Sequence, residues 1–274
     1  MCRLLLLAGS DGASANRLLR AFSEASRCDP YLAELRGDER CLSHDDGWGY
    51  ALIGYRGGKH LSKHYRSVSP VFEDTELGEL TALLGGLDGF LLIAHSRKSS
   101  KGGAEVRNTH PFHYSYLGFE LWIAHNGTVD DRRIAEERCW NYDGDLSDTH
   151  YLGRYVYESL SSSSVARAFS KASKFLKEGS AMNTVSLVSG DSFRAVVTCL
   201  YRAKNESYER YYRLFELREE RLMGAVSSTI EYYAEDSRFS ELQNGKGLTF
   251  EVRDEGGGEI SLSREAFDIE DPEL

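Results

Sequence analysis

The chain opens MCRLLLLAGS, residues 1–10. Leu4 to Leu7 make a short, continuous apolar run that Gly9 closes, and such a run reads as a buried strand. Cys2 stands just ahead of it. It reads either as the edge of that strand or, once Met1 is removed, as a first residue with a thiol beside a free α-amine. The second arrangement is catalytic: a thiol is a weak nucleophile at neutral pH and needs a base, and an α-amine titrates near neutrality.

The apolar run has counterparts further along. GFLLIAHSR (89–97) and LGFELWIAHNG (117–127) read as core strands. GWGYALIGYRGGKHLSKHYRS (47–67) reads as a hairpin turning at Gly57-Gly58. Helical spacing marks SANRLLRAFSEASRCD (14–29), with Leu18, Leu19 and Phe22 inward, and DTELGELTALLGGL (74–87). SDTHYLGRYVYESL (147–160) starts with an N-cap at Ser147 or Asp148, and SVARAFSKASKFLKEG (164–179) is amphipathic up to Gly179. The rest reads as strands: MNTVSLVSG (182–190), SFRAVVTCLYR (192–202), ERYYRLFELRE (209–219), LMGAVSSTI (222–230) and KGLTFEVRD (246–254). DEGGGE (254–259) reads as a turn, and the acidic end of the chain as a partly mobile tail. Mixed strands and helices followed by a strand-rich half predict one α+β domain with two antiparallel sheets and helices outside. No glycine-rich phosphate loop follows a strand, which argues against a doubly wound nucleotide fold.

Composition narrows the partners. The 274 residues are 41% hydrophobic and 28% charged, with a net charge of −10. With no basic cluster, neither nucleic acid nor an anionic membrane is an expected partner. The opening run is too short for a signal-peptide core, and no stretch is long enough to cross a membrane as a helix, so the chain reads as cytoplasmic. The five cysteines are odd in number and form no CxxC, which argues against a disulfide framework or a zinc site. Cys28, Cys41, Cys139 and Cys199 read as small buried hydrophobes.

Several clusters carry chemistry. Arg97 ends a strand where a glycine-bearing loop begins, and a guanidinium there can hold a carboxylate through paired hydrogen bonds; taken singly it also reads as a surface arginine beside Lys98 and Lys101. Asn126 and Gly127 place two donors at one bend, as an oxyanion hole requires, though Asn-Gly by itself is also a common turn. Asp148, at a helix start, can receive an ammonium or simply cap the helix. Asn108 and His110 in NTHPF can orient a loop or touch a ligand, and Trp48 in DGWG is either core or pocket wall.

Together the pieces MC, DGWG, AHSR, NTHPF, HNG and SDT, in that order, resemble the class II glutamine amidotransferases of the N-terminal nucleophile (Ntn) hydrolase type. MNTVSLVSG and LMGAVSSTIE are similar to segments of the stand-alone members. The resemblance spans residues 2–252 as one domain, leaving 253–274 as the tail. It implies a four-layer αββα sandwich with two antiparallel sheets between helix layers. It implies Cys2 as nucleophile with its own α-amine as base. Arg97 would bind the α-carboxylate of glutamine, with Ser100 near a position that helps hold it. Asp148 would receive the α-ammonium, Asn126 and Gly127 would form the oxyanion hole, and His110 would support the pocket. No metal or organic cofactor is implied.

Lys98 and His150 depart from the common family pattern, and no synthase motif accompanies the domain. The ammonia would pass to a separate synthase or acceptor subunit, or be released. A related reading is hydrolysis of another γ-glutamyl amide, which a wider pocket beside Lys98, His150 and Trp48 would favour. A third is an Ntn-fold binding module without catalysis, which a retained Met1 would favour.

Overall fold

Strand β1 (Cys2–Gly9) is buried along its whole length. Its side chains alternate between two cores: Leu4, Leu6 and Ala8 enter one, Leu5 and Leu7 the other. This is why the opening run is apolar at every position. The computed structural model describes residues 1–99, 101–190, 192–234, 238–256 and 259–271.

β1 is an inner strand. It pairs antiparallel with β4 (Gly89–Arg97) on one side and β10 (Leu222–Ser227) on the other. β4 continues to the hairpin of β2 (Trp48–Arg56) and β3 (Lys59–Ser67), which turns at Gly57-Gly58 as expected. β10 continues to β9 (Leu214–Arg218) and β11 (Phe239–Leu242). The second sheet runs β13 (Glu259–Asp268), β12 (Lys246–Gly256), β8 (Phe193–Cys199), β7 (Met182–Ser189), β6 (Glu120–Gly127) and β5 (Phe112–Tyr114). Every ladder in both sheets is antiparallel.

Three separate cores define four layers. Between the sheets lie Leu4, Leu6, Ile53, Leu91 and Ile93 against Trp122, Ala124, Val185 and Leu187. The outer face of the first sheet packs on Leu18, Leu19 and Phe22 of α1 (Gly12–Arg27) and on Leu80 and Leu84 of α3 (Glu76–Leu84). The outer face of the second packs on Ile134 of α4 (Asp131–Glu137), Leu152 and Val156 of α5 (Asp148–Leu160) and Phe169 of α6 (Val165–Ser173). Each large apolar side chain so buried contributes roughly 1.5–3 kcal/mol. The expected αββα sandwich is the observed one.

Several expectations need correction. ERYYRLFELRE is not one strand: its first residues belong to α7 (Glu206–Tyr212), and β9 starts only at Leu214. The Asn205 side chain accepts the Tyr208 N–H and caps that helix, while Tyr211 and Tyr212 are buried against the inter-sheet core. LMGAVSSTI likewise passes from β10 into α8 (Ser228–Tyr233). α6 stops at Ser173, well before Gly179. The short α2 (Pro30–Arg36) and α4 were not anticipated.

Cys28 and Cys41 are not separate hydrophobes but a disulfide. An isolated bridge between Asp29 and Leu42 lays the two segments side by side, with the cysteine Cα atoms 5.0 Å apart. Spacing along the chain carries no sign of that pairing. Cys139 is exposed rather than buried, whereas Cys199 lies in the core, where burial pushes its thiol up to about 12. The boundary expected at residue 252 falls inside β12, and β13, from the segment read as a tail, pairs along it. Among the described residues, no helix is long and apolar enough to cross a membrane.

Candidate active site

Three strand ends meet between the sheets. β1 begins at Cys2, β4 ends at Arg97 and β6 ends at Gly127. Cys2 and Arg97 stand opposite each other in the β1–β4 ladder. Trp122 and Ala124 face the inter-sheet core, so Asn126 faces it too. The Cys2 N–H donates to Asn126 Oδ1 at 2.9 Å, a bond from one sheet to the other. Asn126 Nδ2 is buried without a partner. An unpaired buried donor costs about 1–3 kcal/mol, which an incoming ligand oxygen would recover. Gly127 has φ +141°, and a Cβ there would fall 1.7 Å from the Ala181 carbonyl oxygen. Only glycine fits at this bend.

Burial alone pushes the Cys2 thiol up. The positive amino terminus, His95 and a backbone hydrogen bond at Lys98 outweigh it and bring the thiol well below its ordinary value. Met1 extends the β1–β4 ladder: its amino group donates to the Lys98 carbonyl at 2.7 Å, and the Lys98 N–H returns to Met1 O at 2.9 Å. With Met1 attached, the Cys2 nitrogen is a peptide amide.

Arg97 is buried, not a surface arginine. Its Nη1 donates to Gly103 O at 2.9 Å, and its Nη2 to Ser99 Oγ at 3.0 Å and Lys101 O at 2.9 Å. The loop that follows β4 thus folds back over the guanidinium. Ser100 lies outside the described residues. Lys101 Nζ reaches across to Asp131 and to the Tyr142 hydroxyl at 2.7 Å.

Ser147 is the N-cap of α5, and Asp148 is its first helical residue. Asp148 Oδ2 accepts the Val129 N–H at 3.0 Å. Its Oδ1 has only long contacts, 3.4 Å each, with the Ser147 and Thr149 hydroxyls. His110 is buried; burial first, then the charges of His95 and Arg97, hold its imidazole well below the ordinary range.

Cys2, Arg97, His110, Gly127 and Asp148 line one cavity of about 20 Å3, room for about one water. Lys98 also lines it; Trp48 and His150 do not. Trp48 is core on the outer face of its sheet, its indole N–H on Asp74 at 2.9 Å. Sequence reasoning assigned no role to His95, to Lys101, or to His125, which joins Thr149 Oγ1 and Ala181 O, each at 3.1 Å. His95 and His125 stood in view, inside AHSR and HNG.

The model of the class-II glutamine amidotransferases matches residues 31–178. The chain belongs to that family. It is 26% identical over 146 residues to a probable glutamine amidotransferase of Saccharomyces cerevisiae, DUG3, covering 52% of this chain and 38% of that protein. It is 29% identical over 91 residues to a putative glutamine amidotransferase of Haemophilus influenzae, covering 31% of this chain and 27% of the other. The matches thus span well under half the length of these curated relatives. Among solved structures, the glutamine phosphoribosylpyrophosphate amidotransferase of B. subtilis superposes with a TM-score of 0.56 at 15% identity, over 96% of this chain and 49% of that one. At that identity the likeness is one of fold.

Proposed function

We propose that the chain hydrolyses the side-chain amide of glutamine to glutamate and ammonia, through a thioester on Cys2. The observation that carries this reading is the unpartnered Asn126 Nδ2 at buried Cys2, whose backbone N–H the Asn126 Oδ1 accepts at 2.9 Å. Removal of Met1 turns the Cys2 nitrogen into an amine at the place where it now meets Asn126 Oδ1. That amine is the base that passes a proton to leaving ammonia. Asn126 Nδ2 and the Gly127 N–H hold the oxyanion. Asp148 takes the α-ammonium of the substrate. Water then releases glutamate from the thioester. The ammonia goes to an acceptor on a separate subunit or is released.

Arg97 takes the α-carboxylate. A substrate carboxylate competes for guanidinium N–H groups that now serve the carbonyls of Lys101 and Gly103. Arg97→Ala is therefore expected to raise KM for glutamine about 10- to 100-fold, the value of a charge-assisted pair of hydrogen bonds. Steady-state ammonia release measures it, and an unchanged KM removes Arg97 from the carboxylate site.

The reading as a whole is tested by intact-protein mass before and after a glutamine-shaped electrophile, with mapping of the first peptide. Loss of Met1 and a single adduct on Cys2 are expected. A retained Met1 without any adduct favours the non-catalytic binding module. A free Cys2 that stays unlabelled points to a different γ-glutamyl amide.

A further inference from the structure

Cys28 and Cys41 take no part in the reaction above, yet the bridge between them closes a segment that ends at the proposed substrate site. Cys28 is the C-cap of α1, its N–H on the Glu24 carbonyl at 2.9 Å. From there the chain forms α2, passes over the surface at Arg36, Gly37, Glu39 and Arg40, and returns at Cys41. Cys41 is itself exposed, whereas Cys28 is half-buried. None of residues 35–42 is fully buried, so apolar packing does little to anchor the returning chain.

Beyond Cys41 the chain is tied on two sides. Toward α1, the Asp29 N–H donates to the Leu42 carbonyl and the His44 N–H to the Ser26 carbonyl, each at 2.7 Å. The His44 ring meets the Asp29 carboxylate, also at 2.7 Å. Toward β4, the Ser96 hydroxyl donates to the His44 carbonyl at 3.1 Å. The Asp46 N–H donates to the Arg97 carbonyl at 3.0 Å, and the Arg97 N–H to the Gly47 carbonyl at 2.8 Å. Asp45 accepts from Lys98 Nζ at 2.6 Å, and the Asp46 carboxylate from the Ser99 N–H at 2.7 Å. Residues 41–47 thus form a strap, held by a covalent bond at the end of α1 and by hydrogen bonds along residues 96–99. Ser99 accepts in turn from the Arg97 guanidinium at 3.0 Å, and Lys98 and Ser99 line the cavity beside Cys2.

We propose that the Cys28–Cys41 bridge is a site of thiol–disulfide exchange, open to a small or protein dithiol, whose redox state sets how firmly Arg97 is held for the substrate carboxylate. The link to substrate rests on Arg97 taking that carboxylate. A thiolate of the dithiol attacks the exposed Cys41 sulfur, a mixed disulfide forms, and Cys28 leaves as a thiolate that takes up a proton. The second thiol of the dithiol attacks the mixed disulfide, closes its own S–S bond and releases Cys41, which is protonated in the same way. Two electrons and two protons pass from the dithiol to the two cysteines, and an oxidised dithiol runs the exchange in reverse.

Opening the bridge returns conformational freedom to the loop it closes. The strap then rejoins α1 through hydrogen bonds alone, and its end frays. Because His44 and Asp29 are buried and still bonded to each other, the strap is loosened rather than released. The effect therefore falls on affinity at Arg97 and leaves the chemistry at Cys2 in place.

The test compares the wild-type chain before and after dithiothreitol. Alkylation under denaturing conditions is expected to label Cys2, Cys139 and Cys199 alone before reduction, and Cys28 and Cys41 as well after it. Labelling of Cys28 and Cys41 without reductant overturns the proposal. Amide hydrogen exchange is then read on peptides covering residues 41–47 and 96–99. Both are expected to exchange at least about tenfold faster after reduction. An unchanged rate at 96–99 overturns the coupling, whatever happens at the bridge. In steady-state hydrolysis, reduction is expected to raise KM for glutamine about 3- to 10-fold, part of the value of the Arg97 contact, with kcat within about twofold. Cys139→Ser is expected to keep this response, and Cys28→Ala/Cys41→Ala to show the raised KM with or without dithiothreitol. A KM that ignores the reductant overturns the link to substrate. Thiol labelling and hydrogen exchange use no glutamine, so a chain that hydrolyses none can still show the strap responding, and the two failures are told apart.

Discussion

Cys2→Ala is expected to lower glutamine hydrolysis by about four orders of magnitude or more while the fold persists. In the proposed mechanism the thioester forms on this sulfur, and removing a nucleophile collapses the whole catalytic unit rather than one contribution to it. The structural cost is small. Cys2 is buried at the end of β1, and alanine removes one sulfur atom whose site borders an existing cavity. Its backbone N–H still reaches Asn126, and its ladder with Arg97 does not depend on the side chain. Such a deletion costs on the order of 1 kcal/mol. Ammonia release and a urea melt on the same preparation measure both effects. Turnover within tenfold of wild type would falsify Cys2 as nucleophile.

Asp29→Asn is expected to destabilise the chain by about 3–5 kcal/mol, because it strands a buried cation. Arg3 and Asp29 are fully buried and bonded at 2.7 Å. The second oxygen of Asp29 accepts from Leu32 N–H at 3.0 Å and from the Thr229 hydroxyl at 2.8 Å. Asp29 therefore ties β1 to α2 and to α8. Burial alone pushes the Asp29 carboxyl up; the Arg3 charge and the His44 hydrogen bond outweigh it and hold it well below the usual carboxylate range. A depressed carboxyl contributes its full stability above the unfolded value of about 3.9 and loses it as pH falls toward the folded value. The urea-melt gap between wild type and Asp29→Asn should thus be equal at about pH 7 and about pH 5 and narrower near pH 3. A gap that widens on acidification contradicts this account.

Long elements were legible because their physics is local. Continuous apolar runs marked β1, β4 and β6, and alternation around two glycines marked the β2–β3 hairpin. Short elements were not. α2, α7 and α8 are six or seven residues long, too short for a helical period to stand out, and tyrosines in α7 look like strand formers. α7 is helical because Asn205 caps it and its tyrosines pack between the layers.

By itself, the sequence determined which strands are buried on both faces, that Arg97 and Asn126-Gly127 stand at strand ends, and that Asp148 opens a helix. These follow from composition and periodicity over a few neighbouring residues. Only the tertiary structure decided that those ends converge and that Cys28 bonds Cys41. It also decided that Arg97 is turned onto its own loop around a cavity of about 20 Å3, and that His95 stands beside Cys2. Each depends on pairing between segments distant in the chain. Register across such pairs is set by how two whole sheets bury their apolar faces, which no local stretch of residues contains.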